Sequence, residues 1–173
     1  FRQCIKIKEK ISNQAKVLAK YNKPQQCDML REYASNVEDG DVTNREGHSA
    51  KVYFNALFGK EFERREEHVI NSALNYGYSI VLSCFNREIT SRGYLTQLGI
   101  WHKNDFNAFN LSCDFMEPFR TIIDDMVAGF SDDEFKNYKV AILEVFNKNL
   151  SIKGKKYAFE DAISIYCACI FDA

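Results

Sequence analysis

Residues 69–89 form a long run that is apolar on several sides and uninterrupted by proline, which predicts a central helix buried over much of its surface. The rest of the chain must pack around that element. With only two prolines and eight glycines in 173 residues, a sandwich or barrel built on tight turns is a poor fit. Helical signals recur on both sides. Cys4, Ile7, Ile11, Ala15 and Leu18 follow helical spacing beneath a lysine-rich outer face, and Pro24 suits the first position of a second helix through Met29, Leu30 and Tyr33. Residues 37–44, with an Asp39–Gly40 turn signal, read as a loop; residues 45–58 read as a third helix stopped by Gly59.

Residues 93–110 lack a clean period and predict an ordered loop. Residues 111–127 predict a helix with Pro118 inside it, and Ser131 starts another, with Asp132, Asp133 and Glu134 suited to its N-terminal dipole. Residues 150–159, turning at Gly154, are either a small hairpin or an irregular link, and residues 160–171 close the chain as an apolar helix. There is no internal repeat, low-complexity segment or interior linker. The expectation is a single all-α domain over residues 1–173.

Hydrophobic residues make up 46% of the chain, enough for a folded core. No stretch approaches the roughly 20 uncharged apolar residues of a membrane span. The opening segment is charged and periodic, unlike a signal peptide, and a first residue other than Met leads one to expect a fragment. Six cysteines without a C-x-x-C pair argue against a zinc site and for a reducing cytoplasm. Net charge is −1, which does not advertise a nucleic-acid binder, yet Arg2, Lys6, Lys8, Lys10, Lys16, Lys20 and Lys23 face a single Glu9 in the opening segment. A solvated helix face is the default reading of that segment.

No Gly-rich phosphate loop, GxSxG elbow or HExxH helix is present. Phosphodiester chemistry needs none of these. It needs a cation that stabilises charge on phosphate and helps deprotonate a hydroxyl, and carboxylates with one histidine can hold it. Asp114 and Glu117, three apart, share one helix face and can look toward one cation. Pro118 has no N–H for the carbonyl of Asp114 and loosens the helix there. The alternative is an acidic first turn serving the helix dipole. His102, after Trp101 in the ordered loop, is a candidate ligand or a surface histidine, and Glu46 opens the third helix, where any acid helps the dipole. Spacing alone leaves these alternatives open, and does not show that Glu46, His102 and Glu117 meet.

Four segments change the weighing. Glu46-Gly47-His48-Ser49-Ala50-Lys51-Val52-Tyr53-Phe54 resembles the first catalytic motif of CRISPR-associated protein one, the spacer-acquisition integrase. Asn71-Ser72-Ala73-Leu74-Asn75-Tyr76-Gly77-Tyr78 is similar to that family's central-helix signature, and Gly99-Ile100-Trp101-His102-Lys103-Asn104 resembles its histidine motif. Asn110-Leu111-Ser112-Cys113-Asp114-Phe115-Met116-Glu117-Pro118-Phe119-Arg120 resembles its acidic helix, and the wording at residues 106–110 is most like the version found beside type II effector nucleases. The four occur in order.

The resemblance implies the helical catalytic domain of a two-domain protein, its β-rich N-terminal domain absent from this chain. It implies a metal-dependent DNA endonuclease and integrase that inserts spacers into a CRISPR array by transesterification, in antiviral defence, in a prokaryotic cytoplasm. Glu46, His102 and Glu117 carry over as catalytic metal ligands for Mg²⁺ or Mn²⁺, with Asp114 an accompanying acid that lies either on the metal or behind a ligand. Lys103 and Arg120 are candidate DNA-phosphate contacts, an ion pair with an acid being the favoured role for Arg120. The implied partners are DNA (prespacer and CRISPR repeat), a second copy in a homodimer, and CRISPR-associated protein two, a small ferredoxin-like protein. Arg64-Arg65-Glu66-Glu67-His68 departs from the proline-containing stretch of many relatives, so these residues default to a solvated charged loop. The alternative readings are a non-catalytic DNA-binding or assembly module and a small-molecule metallohydrolase.

Overall fold

The computed structural model describes residues 2–38 and 41–172, with side chains from residue 7 onward. The expected Asp39–Gly40 turn and the side chains of Arg2, Cys4 and Lys6 lie outside the described residues. The chain divides into two compact units, Phe1–Asn71 and Ser72–Ala173, each taken by itself.

The first unit holds α1 (Arg2–Lys20), α2 (Pro24–Ser35) and α3 (Arg45–Phe58). Ile7, Ile11, Ala15 and Leu18 form the buried stripe of α1 and meet Cys27, Leu30 and Ala34 of α2, with Val37 and Tyr53 completing the core. Pro24 stands at the start of α2, where a missing N–H costs nothing. Lys16 and Lys20 are exposed, as a solvated face requires, but Lys10 is not: its side chain is 17% exposed. Phe54 and Phe58 of α3 gather with Phe62 beyond it into an aromatic cluster.

The loop after it is solvated as expected at Arg65, Glu66, Glu67 and His68, but Arg64 is anchored. Arg64 lies over the Phe54 ring and donates to Asn71 Oδ1, while Asn71 Nδ2 donates to the carbonyls of Glu63 and Glu66 at 2.7 and 2.9 Å. One buried amide therefore fastens three loop residues; Arg65 stays exposed. His68 Nδ1 accepts from the Ile70 N–H and caps the next helix.

That helix, α4 (Val69–Ser91), buries Ala73, Leu74, Tyr78, Val81, Phe85 and Ile89 along its length in the second unit. The helix expected over residues 111–127 is three pieces: α5 (Asn110–Met116), a 3-10 turn (Glu117–Phe119) and α6 (Arg120–Ala128). Pro118 cannot donate to Asp114, and the chain tightens there instead of continuing. Short helices α7 (Asp132–Lys136) and α8 (Tyr138–Leu143) follow, the former opened by a complete capping box between Ser131 and Glu134. Strands β1 (Asn149–Ile152) and β2 (Lys155–Ala158) then pair antiparallel, Asn149 opposite Ala158. Their loop, Lys153 and Gly154, has positive φ at both positions, the geometry a two-residue hairpin needs. The hairpin, not the irregular link, is what forms.

Helix α9 (Phe159–Phe171) closes the unit. Phe85, Phe119 and Tyr166 meet edge to face, as do Phe115 and Phe171. Cys84 and Cys167 are buried and Cys169 is half-buried, with burial pushing the Cys84 thiol up. The described fold is helical apart from the hairpin, as expected, and no described helix is long and apolar enough to cross a membrane.

Candidate active site

In the second unit the site is built on the loop after α4. Gly93 ends that helix with φ +82, its N–H bonding the Thr90 carbonyl while the Tyr94 N–H reaches back to Ile89. The loop then folds onto the start of α5. Thr96 Oγ1 donates to the Ala108 carbonyl, and the Thr96 carbonyl accepts from the Leu111 N–H, both at 2.8 Å. Asn110, buried, donates to the carbonyls of Gln97 and Asn104 at 3.1 and 2.9 Å. Gly99 fits where no other residue would: a β-carbon there would run into the His102 carbonyl oxygen and stand 2.7 Å from Asn110 Cβ.

This scaffold delivers three consecutive backbone N–H groups to one carboxylate. Ile100 and Trp101 donate to Asp114 Oδ2 at 2.6 and 3.0 Å, and His102 to Oδ1 at 3.2 Å. The His102 ring adds a fourth bond, Nδ1 to Oδ1 at 2.7 Å. The Asp114 side chain is fully buried, whereas that of His102 is 44% exposed. Burial opposes ionisation of Asp114, but bonds from the His102 ring and from the N–H groups of Trp101, His102 and Ile100 together outweigh it and hold the carboxyl below its ordinary value. Hydrogen bonding to Asp114 raises His102 in turn; burial works against this, and the charge of Glu117 reinforces it. An ionised carboxylate only accepts, so Nδ1 carries the proton, and the neutral ring has its lone pair on Nε2.

Asp114 therefore does not share a cation-facing helix side with Glu117, as the three-residue spacing suggested. It is turned to the histidine loop, with its oxygens committed there. Glu117 opens the 3-10 turn beyond it, its Oε1 at 2.9 Å from Arg120 Nε. Arg120, paired with this acid as favoured from the sequence, also lies 4.8 Å over the Tyr78 ring, and the Tyr78 hydroxyl donates to buried Asp124. Lys103 is exposed beside His102 on a groove of about 670 Å³ that also takes in Leu98, Asn104 and Phe106.

Glu46 lies in the first unit. Asp41 caps the start of α3, its carboxylate accepting from the N–H groups of Arg45 and Glu46 at 2.8 and 3.0 Å, and Asn44 Oδ1 accepts from Gly47 at 3.3 Å. Asn44 takes the left-handed conformation to do so. With the helix start capped by others, the Glu46 carboxylate is held not by its own helix but by Lys10: Nζ to Oε1 is 2.6 Å. Sequence reasoning missed Lys10. Nothing in spacing marks one lysine among the many on α1. His48 is exposed, and a groove of about 640 Å³ runs beside α3 from Gly47 past Lys51 and Phe54 to Lys60 and Arg65.

Among the described residues no three His, Cys, Asp or Glu side chains form a ready cage for a metal. The donor chemistry nonetheless suits one: a histidine fixed from behind by a buried carboxylate, with an acid whose charge acts on it, is the arrangement that ligating histidines take.

Helical fold and ordered motifs together define a class. The family model described as CRISPR associated protein Cas1 matches residues 5–142, and the chain belongs to that family. It is 41% identical over 118 residues to the CRISPR-associated endonuclease Cas1 of Neisseria meningitidis serogroup C (strain 8013), covering 68% of this chain and 39% of that protein. To a protein of Francisella tularensis subsp. novicida (strain U112) named CRISPR-associated endonuclease Cas1 1 it is 28% identical over 151 residues, covering 76% of this chain and 48% of that one. The chain thus spans less than half the length of either relative. Among solved structures, the fold matches a casposase bound to integration product (TM-score 0.69, 21% identity, 92% of this chain and 59% of the other). It also matches a chain of a Cas6-RT-Cas1–Cas2 complex (TM-score 0.72, 18% identity, 96% and 23%).

Proposed function

We propose that this chain carries the catalytic centre of a DNA endonuclease and integrase that joins new spacers to a CRISPR array. The single observation that carries the reading is the His102–Asp114 pair, which holds the imidazole by Nδ1 and leaves Nε2 of a half-exposed ring as the nitrogen available to a ligand. Membership of the Cas1 family and relatives named as endonucleases support it.

Glu46, His102 and Glu117 are proposed to hold Mg²⁺ or Mn²⁺, a nitrogen ligand suiting Mn²⁺ somewhat better. When bound, such an ion stabilises charge on a phosphate oxygen and favours a hydroxyl in its deprotonated form. The chain's own residues do the rest. Asp114 fixes the ring plane and tautomer of His102, and Arg120 restrains the Glu117 carboxylate. A DNA 3′-hydroxyl attacking in line gives strand joining; water in its place gives nicking. Lys103 and Arg65, exposed cations beside the two grooves, are proposed phosphate contacts. DNA, a second copy of the chain and the small Cas2 partner are the proposed associates; the integration product and Cas2 named in the matched complexes support the first and the last.

The experiment is strand joining and nicking of branched DNA by the complete protein with its small partner, in Mg²⁺ or Mn²⁺. Glu46→Gln, His102→Ala and Glu117→Gln are each expected to reduce both reactions to background while circular dichroism stays unchanged. Full activity in Glu46→Gln would favour an assembly module instead.

A further inference from the structure

The cation on Glu46 is a lysine, and it is more covered than Lys16 and Lys20 farther along α1. Lys16 and Lys20 stand in solvent, whereas the Lys10 stem lies against the protein and its ammonium meets Glu46 Oε1 at 2.6 Å. Ordering a long flexible side chain costs entropy, so an oriented, largely covered lysine asks for a role. Asp41 and Asn44 already satisfy the N-terminal N–H groups of α3, so the pair is not needed to cap the helix.

We propose that Lys10 is a further residue of the site, a counter-charge that holds the Glu46 carboxylate until a DNA phosphate draws its ammonium away, so that metal and DNA load together. This rests on the reading of Glu46 as a ligand. An ammonium in contact with a carboxylate opposes the binding of a divalent cation to that carboxylate, because like charges are brought close in a partly desolvated setting. A phosphate entering beside them reverses the balance. It attracts both cations, and the lysine stem is flexible enough to swing from one anion to the other. The groove along α3 supplies the approach: it begins at Gly47, directly after Glu46, and carries Lys51, Lys60 and Arg65 on its walls, with Glu61 and Glu63 among them. Linkage then makes the effect reciprocal: DNA tightens metal and metal tightens DNA by the same factor.

The test is Mn²⁺ binding by the full chain, read from the paramagnetic resonance of the free ion, with and without a short DNA duplex. Wild type is expected to bind Mn²⁺ roughly tenfold more tightly when the duplex is present. Lys10→Met should bind Mn²⁺ more tightly than wild type in the absence of DNA and lose most of the enhancement, whereas Lys10→Arg should keep it. Unchanged or weaker DNA-free binding in Lys10→Met, with the enhancement intact, overturns the role of Lys10. Lys10→Gln gives the same readout should the methionine variant lose helicity. Glu46→Gln separates the two levels. If it binds Mn²⁺ as wild type does, the ligand assignment falls and Lys10 with it; if it loses Mn²⁺ while Lys10→Met changes nothing, only Lys10 falls.

Discussion

Asp114 and His102 are joined twice: Oδ1 of the carboxylate stands 2.7 Å from the ring Nδ1 and 3.2 Å from the backbone N–H of the same residue. The two partners do not weigh equally in the fold. Asp114→Ala leaves three part-buried backbone N–H groups without their acceptor and should cost about 3 kcal/mol. His102→Ala removes a half-exposed ring while those bonds persist, and should cost about 1 kcal/mol. Urea unfolding of both variants measures the difference; a costlier His102→Ala would mean that the ring, not the carboxylate, organises the loop.

The same pair fixes a pH dependence. Asp114 is held below its ordinary value, so its stabilisation is present above about pH 4 and is lost as pH falls through the lowered value. His102 is raised, so its stabilisation is complete below about pH 6.5 and is lost as pH rises through the raised value. Without metal, the stability advantage of wild type over Asp114→Asn should be greatest between those limits and shrink on either side. Urea midpoints across a pH series would show this, and a flat difference would contradict it.

Gly77 of α4 faces Ile123 of α6 so closely that a β-carbon would collide with Cγ2 and stand 3.2 Å from Cδ1. Gly77→Ala should destabilise by about 2 kcal/mol. In an Ile123→Ala background the same change should cost almost nothing, because the colliding atoms are gone. A double-mutant cycle in urea gives the coupling; simple additivity would mean that the helices separate to admit the methyl.

Net charge predicts how the chain meets DNA. At −1 overall it lacks the cation excess that displaces counterions, so binding to duplex at physiological salt should fall in the weak, non-specific range of roughly 10⁻⁴–10⁻⁶ M. Tight binding is expected only of the complete protein with its partner, with a steep salt dependence. Nanomolar affinity in a fluorescence titration of this chain would show that it carries its own DNA track.

Signals that act over one helical turn are legible in the sequence. Pro24, Gly59 and Ser131 mark helix ends through backbone groups within a few residues, and all three stand where the sequence puts them. The candidate site was legible only as motifs. Asp114 and Glu117 share a helix face on paper, yet a buried carboxylate must go where donors are, and the donors were on a loop whose path no periodicity describes. Lys10 and Glu46 lie 36 residues apart in sequence and meet only because α1 and α3 pack together. Arg64 was likewise unreadable, its partner Asn71 being recruited from the start of the next helix.

Gly99 and Phe106 sit seven positions apart on the histidine loop and answer to opposite demands. A side chain at 99 has nowhere to go, since the first carbon would already occupy the space of the His102 carbonyl. Phe106 is 99% exposed and contributes almost nothing to burial. A library randomised at both positions and sorted for folding alone should therefore return glycine at 99 and nearly every residue at 106. Sorted for strand joining, it should again return glycine at 99. Any aromatic preference that then emerged at 106 would be a requirement set by the molecule meeting the loop, free of any contribution from the fold.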